Sequence, residues 1–400
     1  MLSGKHIVLG VSGGIAAYKI PELIRLLVKS RAEVRVTTSR HALEFVTPLT
    51  LQTLSGAPVY SDVFAAINAH ATEHISLPTW GDAMIVAPAT ANILAKAANG
   101  IADDALSTTI ASCIARKPIL FAPAMNDRMW DSPATQQAIT TLRSFPGVSV
   151  LDPSEGFLAC GVNGKGRMPE PPELLEALST IITHKDLVGK QVLITAGGTR
   201  EQIDPVRFIS NYSTGKMGIA LAHECARRGA TVTLVAGSIS TPILNPFGRI
   251  RRIDALTAEA MYSACMKEWP TSDIAILCAA VADFTPTPVD HKIKKAPGQT
   301  ELTLSLHTTP DIAASLGSHK KEGQTLIGFA LETDNELVNA QSKLRSKHLD
   351  LIVLNSLRDS GAGFGTDTNR VTLLRANGSS TTLPLLSKAE VASAIIDELI

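Results

Sequence analysis

One unit occurs twice along this chain and constrains its fold more than any other feature: a short β-rich run, a glycine turn, and a helical pattern. Parallel strands need a crossover to rejoin, and the helices that supply it cover the sheet, so such strands read as near-continuous apolar runs. The first unit opens with Ile7-Val8-Leu9-Gly10-Val11, turns through Ser12-Gly13-Gly14, and continues with Ile20, Leu23, Ile24 and Leu27 at one-face helical spacing. Buried strands are predicted at residues 34–36, 83–87 and 119–122, each followed by Gly, Pro, Ser or Thr. Residues 161–172 turn to Gly, Pro, Lys and Arg, a helix is predicted over 173–182, and the polar stretch 183–190 marks a boundary. The pattern restarts at Val192-Leu193-Ile194-Thr195, with further strands at 231–236, 274–279, 326–330 and 351–354. Asn377-Gly378 signals a hairpin between 370–376 and 380–385, and Ser387 with Glu390 forms a capping-box pattern before a closing helix. The expectation is α/β: two tandem doubly wound domains, residues 1–185 and 186–400.

Composition narrows what such a chain does. Its 400 residues suit two or three domains, and 45% hydrophobic against 18% charged residues is globular. The 37 Lys+Arg balance 37 Asp+Glu, which argues against nucleic acid held by global charge but leaves local basic sites open. The longest apolar run, 274–282, is about half of the roughly 18–20 residues a membrane span needs, so no membrane partner is expected. No apolar signal segment follows the N-terminal strand. Five scattered cysteines, none in CxxC spacing, suggest neither a disulfide framework nor a zinc knuckle; a reducing cytoplasm fits best.

In the first glycine loop, backbone N–H groups and the Ser12 hydroxyl can face an anion at a helix N-terminus. The spacing is neither GxGxxG nor GxxxxGK[ST], so a plain tight βα turn is an equal reading of the loop alone. Other loop residues collect at predicted strand ends, where open α/β sheets bind ligands: Thr38-Ser39, His74, Ala87 to Asn92, Pro123-Ala124-Met125-Asn126, and Leu158-Ala159-Cys160-Gly161. Taken in order, Ser12-Gly13-Gly14, His74 in His-Ile-Ser-Leu, Gly100-Ile-Ala-Asp-Asp, Pro-Ala-Met-Asn, and Ala-Cys-Gly before Gly-Lys-Gly-Arg-Met make the sequence resemble a known family. That family is the bifunctional bacterial phosphopantothenoylcysteine decarboxylase and phosphopantothenate–cysteine ligase of coenzyme A synthesis, and the likeness covers essentially the whole chain.

The resemblance implies a first Rossmann-like three-layer domain of the flavin-containing cysteine decarboxylase fold, with FMN as cofactor. It implies His74 as acid/base near the substrate thiol, Asn126 as donor to the substrate carboxylate, and Cys160 as proton donor to an enethiol, with no net oxidation. Cys160 falls in a glycine-rich stretch, 156–167, that reads as a flap over the substrate. FMN is expected beside Ser12, Gly13, Gly14, Thr38, Ser39, Thr90, Asn92 and Ser107, though small polar residues also cap helices.

In the second half, the run from Val192 through Gly197-Gly198-Thr199-Arg200 to Asn211 and Lys216 joins a strand, a glycine turn and a later helix, which suits a triphosphate or an NAD(P) site. Ala279-Ala280-Val281-Ala282-Asp283 and Lys292-Ile293-Lys294-Lys295 extend the match to the ligase half of the family; Gln202 and Tyr212 depart from its usual residues. The resemblance implies CTP as co-substrate, Mg²⁺ with Asp283 as a ligand, Lys292 promoting formation of an acyl-cytidylate, and Asn211 assisting its use. The nucleotide site is expected to include Ala279, Ala280, Asp283, Lys292, Thr309, Pro310, Asp311, Ile312, Phe329, Lys343 and Lys347. The last two are four apart, on one face of a predicted helix. Expected partners are 4'-phosphopantothenate, L-cysteine and CTP, in a homododecamer built from decarboxylase trimers and ligase dimers. Two other classes stay open at this point: an NAD(P)-dependent oxidoreductase, and a non-enzymatic flavin-binding or scaffold protein, which leaves Cys160 and Lys292 unexplained.

Overall fold

The computed structural model describes residues 2–64, 73–157, 161, 163–332, 334–356, 363 and 365–399. It divides into two compact units, Met1–Thr183 and His184–Ile400. In the first, β1 (His6–Val11), β2 (Glu33–Thr38), β3 (Ala83–Ala89), β4 (Ile119–Pro123) and β5 (Val148–Val150) form one parallel sheet in the order β2-β1-β3-β4-β5. Every residue of β3 and β4 is buried, which is why both runs are apolar without alternation. Val8, Met84, Val86, Ile119 and Phe121 pack under the helices Ala91–Asn99, Ala105–Cys113 and Pro133–Ser144. The helices Ile20–Lys29 and Pro171–Ile182 cover the other face. A hairpin follows β5: β6 (Ser154–Phe157) pairs with β7 (Asn163–Arg167).

In the second unit, β8 (Gln191–Ala196) leads into a short hairpin of β9 (Arg200–Gln202) and β10 (Phe208–Ser210). Then come β11 (Thr231–Ala236), β12 (Ile250–Asp254), β13 (Ile274–Leu277), a second small hairpin of β14 (Phe284–Pro286) and β15 (Leu306–Thr308), then β16 (Thr325–Glu332), β17 (Leu351–Ser356), β18 (Thr368–Asn369), β19 (Val371–Arg375) and β20 (Ser380–Thr382). The main sheet runs β12-β11-β8-β13-β16-β17-β19-β20, parallel except for the last two strands. Val192, Ile194 and Ala196 face the helix Lys216–Arg227 and the closing helix, whereas Leu193 faces Met261, Cys265 and Trp269 on the other side. Each unit is therefore three layers, helix on sheet on helix.

Two local expectations meet refined outcomes. The predicted hairpin turns through Ala376, Asn377 and Gly378, with Gly378 left-handed at φ +86° and its N–H on Arg375 O at 2.9 Å. Gly378 supplies the positive φ of a three-residue loop. The capping box is present: Ser387 Oγ accepts from Glu390 N at 3.3 Å and Glu390 Oε2 from Ser387 N at 2.9 Å. No helix among the described residues is long and apolar enough to cross a membrane.

Candidate functional sites

The sheet of the first unit reverses its order of growth between β1 and β3, and the carboxyl ends of strands flanking such a switch point frame a ligand crevice. A cavity of about 1120 Å³ lies there. Ser12, Gly13, Gly14, Ser39, Thr90, Asn92 and Asn126 line it, together with Met125, Met129, Phe157 and Arg167.

Ser12 locks the two strand ends together. Its Oγ donates to Pro88 O at 2.7 Å and accepts from Thr90 N at 3.1 Å. The hydroxyl expected to face an anion is thus engaged within the crevice wall. The glycine loop leads into a 3-10 turn, Ile15–Lys19, that runs on into the helix Ile20–Lys29; this turn and the first residues of the helix Ala91–Asn99, capped by Thr90, both line the cavity. Gly13 has no room for a side chain, because a Cβ would lie 2.6 Å from His41 Cβ and 2.9 Å from its carbonyl carbon.

The far wall is built by a second close approach. Met125 N donates to Gly166 O at 3.0 Å, and a Cβ on Gly166 would meet Met125 O at 2.2 Å, so only glycine lets β7 rest on the Met125-Asn126 loop. Asn126 caps the turn Asp127–Trp130, its Oδ1 accepting from Arg128 N at 2.9 Å. At the root of the hairpin, buried Lys19 donates to Met168 O at 3.0 Å and Glu170 Oε1 at 2.9 Å. Burial raises the Glu170 carboxyl, but Lys19 and Arg167 outweigh it and hold it below its ordinary value. Nothing in the sequence pattern marks this lysine.

Two expected FMN-side residues, Thr38 and Ser107, and the expected acid/base His74 do not line the cavity. Ser107 is buried beneath Asp103 and Asp104, which do, and accepts from both of their N–H groups at 3.1 and 2.9 Å. Thr38 is buried, its hydroxyl unpartnered among the described residues and its N–H on Tyr60 O at 2.9 Å. Half-buried His74 sits on the helix Glu73–Trp80 with its Nδ1 unpartnered among the described residues. Cys160 lies outside the described residues. Cys113, Cys225 and Cys265 are buried and Cys278 partly so, with burial pushing each thiol up to about 12, far from a reactive thiolate.

In the second unit the order reverses between β8 and β13, and the loops after these strands are laced together. Ala280 N donates to Gly197 O at 2.8 Å, Thr199 N to Ala280 O at 3.2 Å, and Ala282 N to Thr199 Oγ1 at 3.0 Å. Gly197, at φ +86°, leaves no space for a Cβ, which would stand 2.5 Å from Ser238 O. Asn211 Nδ2 donates to Ala280 O at 2.8 Å. Ala279 N meets Thr195 Oγ1 at 3.1 Å, Thr309 N meets Asp283 O at 3.0 Å, and Thr309 Oγ1 reaches Ala282 O at 2.6 Å. Asn211, Ala279, Ala280, Asp283 and Thr309 are therefore brought together.

The remaining residues sit around this edge in different states. Lys292 and Asp283 are exposed, and Lys292 has no hydrogen bond or ion pair among the described residues. Pro310 and Phe329 are half-buried, while Ile312 is core. Asp311 caps the helix Ile312–Ser318 and pairs with Lys347 at 2.9 Å; Lys343 pairs with Glu332 at 2.6 Å. Burial raises the Asp311 carboxyl, but the Ala314 N–H and Lys347 outweigh it and hold it low. Lys343 lies on the helix Glu336–Ser346 and Lys347 is its C-cap, and each already neutralises an acid. The described residues hold no cluster of three or more His, Cys, Asp or Glu side chains suited to a metal.

Comparison with known proteins agrees with this division. The Flavoprotein family model matches residues 1–183, and that of the DNA/pantothenate metabolism flavoprotein C-terminal domain matches residues 187–400. The chain is similar to the coenzyme A biosynthesis bifunctional protein CoaBC of Bacillus subtilis, 46% identical over 100% of this chain and 97% of the relative. It is similar to the CoaBC of Haemophilus influenzae at 46% over 100% and 98% of the two chains. It is also similar, at 48% over 89% of this chain and 99% of the other, to a cysteine/cysteine sulfinic acid decarboxylase of an unknown prokaryotic organism. Nothing in these likenesses supports an NAD(P)-dependent oxidoreductase. With glycine turns at the switch points of two α/β units and full-length likeness to such proteins, the chain belongs to the family of bifunctional coenzyme A biosynthesis enzymes.

Proposed function

We propose that the second unit couples 4'-phosphopantothenate to L-cysteine through an acyl-cytidylate formed from CTP with Mg²⁺, and that the first unit decarboxylates the resulting 4'-phosphopantothenoylcysteine to 4'-phosphopantetheine with FMN. The observation that carries the decarboxylase half is the cavity of about 1120 Å³ at the β1/β3 switch point. It fits a flavin mononucleotide in size and in lining: the glycine turn at Gly13 and Gly14, the polar groups of Ser39, Thr90 and Asn92, and apolar walls from Ile15, Met125 and Met129. Bound FMN supplies an acceptor for two electrons that are returned within the same turnover. The chain's own groups orient the substrate and move protons. Asn126 holds the carboxylate that leaves as carbon dioxide, and Cys160 gives the proton that completes the product; His74, which is outside the cavity lining, has to reach the thiol from beyond that wall to serve it.

For the ligase half, the laced turn Gly197–Gly198 and the stretch Ala279–Asp283 form the nucleotide cradle. Attack of a carboxylate on the α-phosphate builds negative charge, which the exposed ammonium of Lys292 is suited to meet. Asp283 would offer a carboxylate to Mg²⁺, which would offset the negative charge of the triphosphate. Asn211 then assists attack by the cysteine amine on the activated acyl group, releasing CMP. Lys343 and Lys347 exchange Glu332 and Asp311 for phosphate oxygens. We place the enzyme in the cytoplasm as a homododecamer of decarboxylase trimers and ligase dimers.

The test is purification with FMN bound, followed by pyrophosphate release that needs both phosphopantothenate and CTP, and carbon dioxide release from phosphopantothenoylcysteine. Carbon dioxide from free cysteine, with none from phosphopantothenoylcysteine, would move the reading toward the relative named for cysteine decarboxylation.

A further inference from the structure

Between β9 and β10 the chain turns through Asp204-Pro205-Val206-Arg207, and the side chain of Asp204 has no solvent exposure. Its Oδ1 accepts from Val206 N at 2.8 Å and Arg207 N at 2.9 Å. Its Oδ2 accepts from Arg207 Nε at 3.0 Å, from Arg207 Nη2, and from Ile293 N at 3.1 Å. Arg207 Nη2 also donates to Ile293 O at 2.8 Å, and Val289 N donates to Ile203 O at 3.1 Å. The strap 289–293 is thus stitched to this turn at both ends, and Lys292 rides on it with its own side chain exposed. The same hairpin runs on through β10 to Asn211, whose amide is held on Ala280 O.

Hydrogen bonding from Arg207, then from the backbone N–H groups of Val206, Ile293 and Arg207, holds the Asp204 carboxyl well below the usual carboxylate range. A lysine ammonium is a point charge on a flexible stem, so its value to a transition state depends on where the backbone beneath it is fixed.

We propose that Asp204 is a positioning residue for the ligase reaction: its buried carboxylate ties the Lys292 strap to the hairpin that carries Asn211, so that one turn sets the groups serving the two successive ligase steps. This rests on the reading of Lys292 given above. Asn at 204 keeps the size but offers one acceptor oxygen in place of two, and it leaves N–H groups of Arg207 or Ile293 without a partner. The strap loosens, since the hydrogen bonds weakened run within the turn and to Ile293.

The test uses the full-length, FMN-loaded protein as wild type, Asp204→Asn, Asp204→Glu, Lys292→Gln and the Asp204→Asn/Lys292→Gln double variant. Pyrophosphate release is followed against CTP, and carbon dioxide release from phosphopantothenoylcysteine serves as an internal control. Asp204→Asn is expected to lower kcat for pyrophosphate release about 10- to 100-fold, the scale of a misplaced catalytic group, with the KM for CTP moved less than about threefold. Asp204→Glu, which keeps both acceptor oxygens, recovers part of that loss; the control reaction stays at the wild-type rate. The double variant is no slower than Lys292→Gln in its residual rate, because both changes remove one interaction. Brief trypsin treatment cuts after Lys292, Lys294 or Lys295 faster in Asp204→Asn than in wild type. A wild-type rate for Asp204→Asn beside an inactive Lys292→Gln overturns the positioning role alone, as does equal loss of both activities in Asp204→Asn. A wild-type rate for Lys292→Gln overturns the reading of Lys292 and this inference with it.

Discussion

The two crevices solve the same topological problem in different ways. In the first unit, seven of the expected residues converge on one cavity whose walls are closed by contacts only glycine permits, Gly13 on His41 and Gly166 on Met125. In the second, the expected residues spread along the carboxyl edge of a wider sheet; the laced turns are preformed, whereas Lys343 and Lys347 sit on Glu332 and Asp311. A bound flavin asks for a permanent, shape-matched slot, and the triphosphate proposed for the second unit asks for charges that can be exchanged at each turnover. The difference predicts that the decarboxylase half is sensitive to steric change and the ligase half to charge.

The largest effect is expected from Lys292→Gln, which abolishes pyrophosphate release, a loss on the order of 10²–10³-fold or more, while carbon dioxide release from phosphopantothenoylcysteine continues. Loss of both activities breaks the separation of the two sites. Cys160→Ser should retain FMN and release carbon dioxide once, then stall before finished 4'-phosphopantetheine; full product formation by that variant removes Cys160 from the chemistry. Gly13→Ala should cost about 1–3 kcal/mol of stability in the first unit and lose flavin absorbance after gel filtration, because the new methyl overlaps His41. If it binds FMN as wild type does, the steric account of the first site fails. The smallest effect is expected for Lys347→Gln: a several-fold rise in the KM for CTP, shrinking as salt is added, with kcat little changed. A fall in kcat at constant KM would put Lys347 in the transition state instead.

The sequence made the architecture legible because buried parallel strands such as residues 83–87 and 119–122 are apolar on both faces and need no partner to be recognised. What it concealed are features made by proximity. Lys19 reaches Glu170 across 151 positions, and Ser12 reaches Pro88 across 76, so no local pattern announces either. The β9–β10 and β14–β15 hairpins, three residues a strand, are too short for alternation to register. Asp204-Pro205 did carry a local signal, that of a turn with Asp first and Pro second, but its bond to Ile293 is long-range. Lys343 and Lys347 illustrate the converse: helical spacing put them near each other, and only the fold reveals the acids they already pair with.

The central claim is that one chain holds two chemically separate sites that act in sequence. Its most direct test follows pyrophosphate and carbon dioxide separately in FMN-loaded enzyme given phosphopantothenate, cysteine, CTP and Mg²⁺. The wild type should release both, pyrophosphate first. Lys292→Gln should release neither from these substrates but should release carbon dioxide when phosphopantothenoylcysteine is supplied directly. Absence of both products from the folded, FMN-loaded wild type, or failure of phosphopantothenoylcysteine to restore carbon dioxide release in Lys292→Gln, would contradict it.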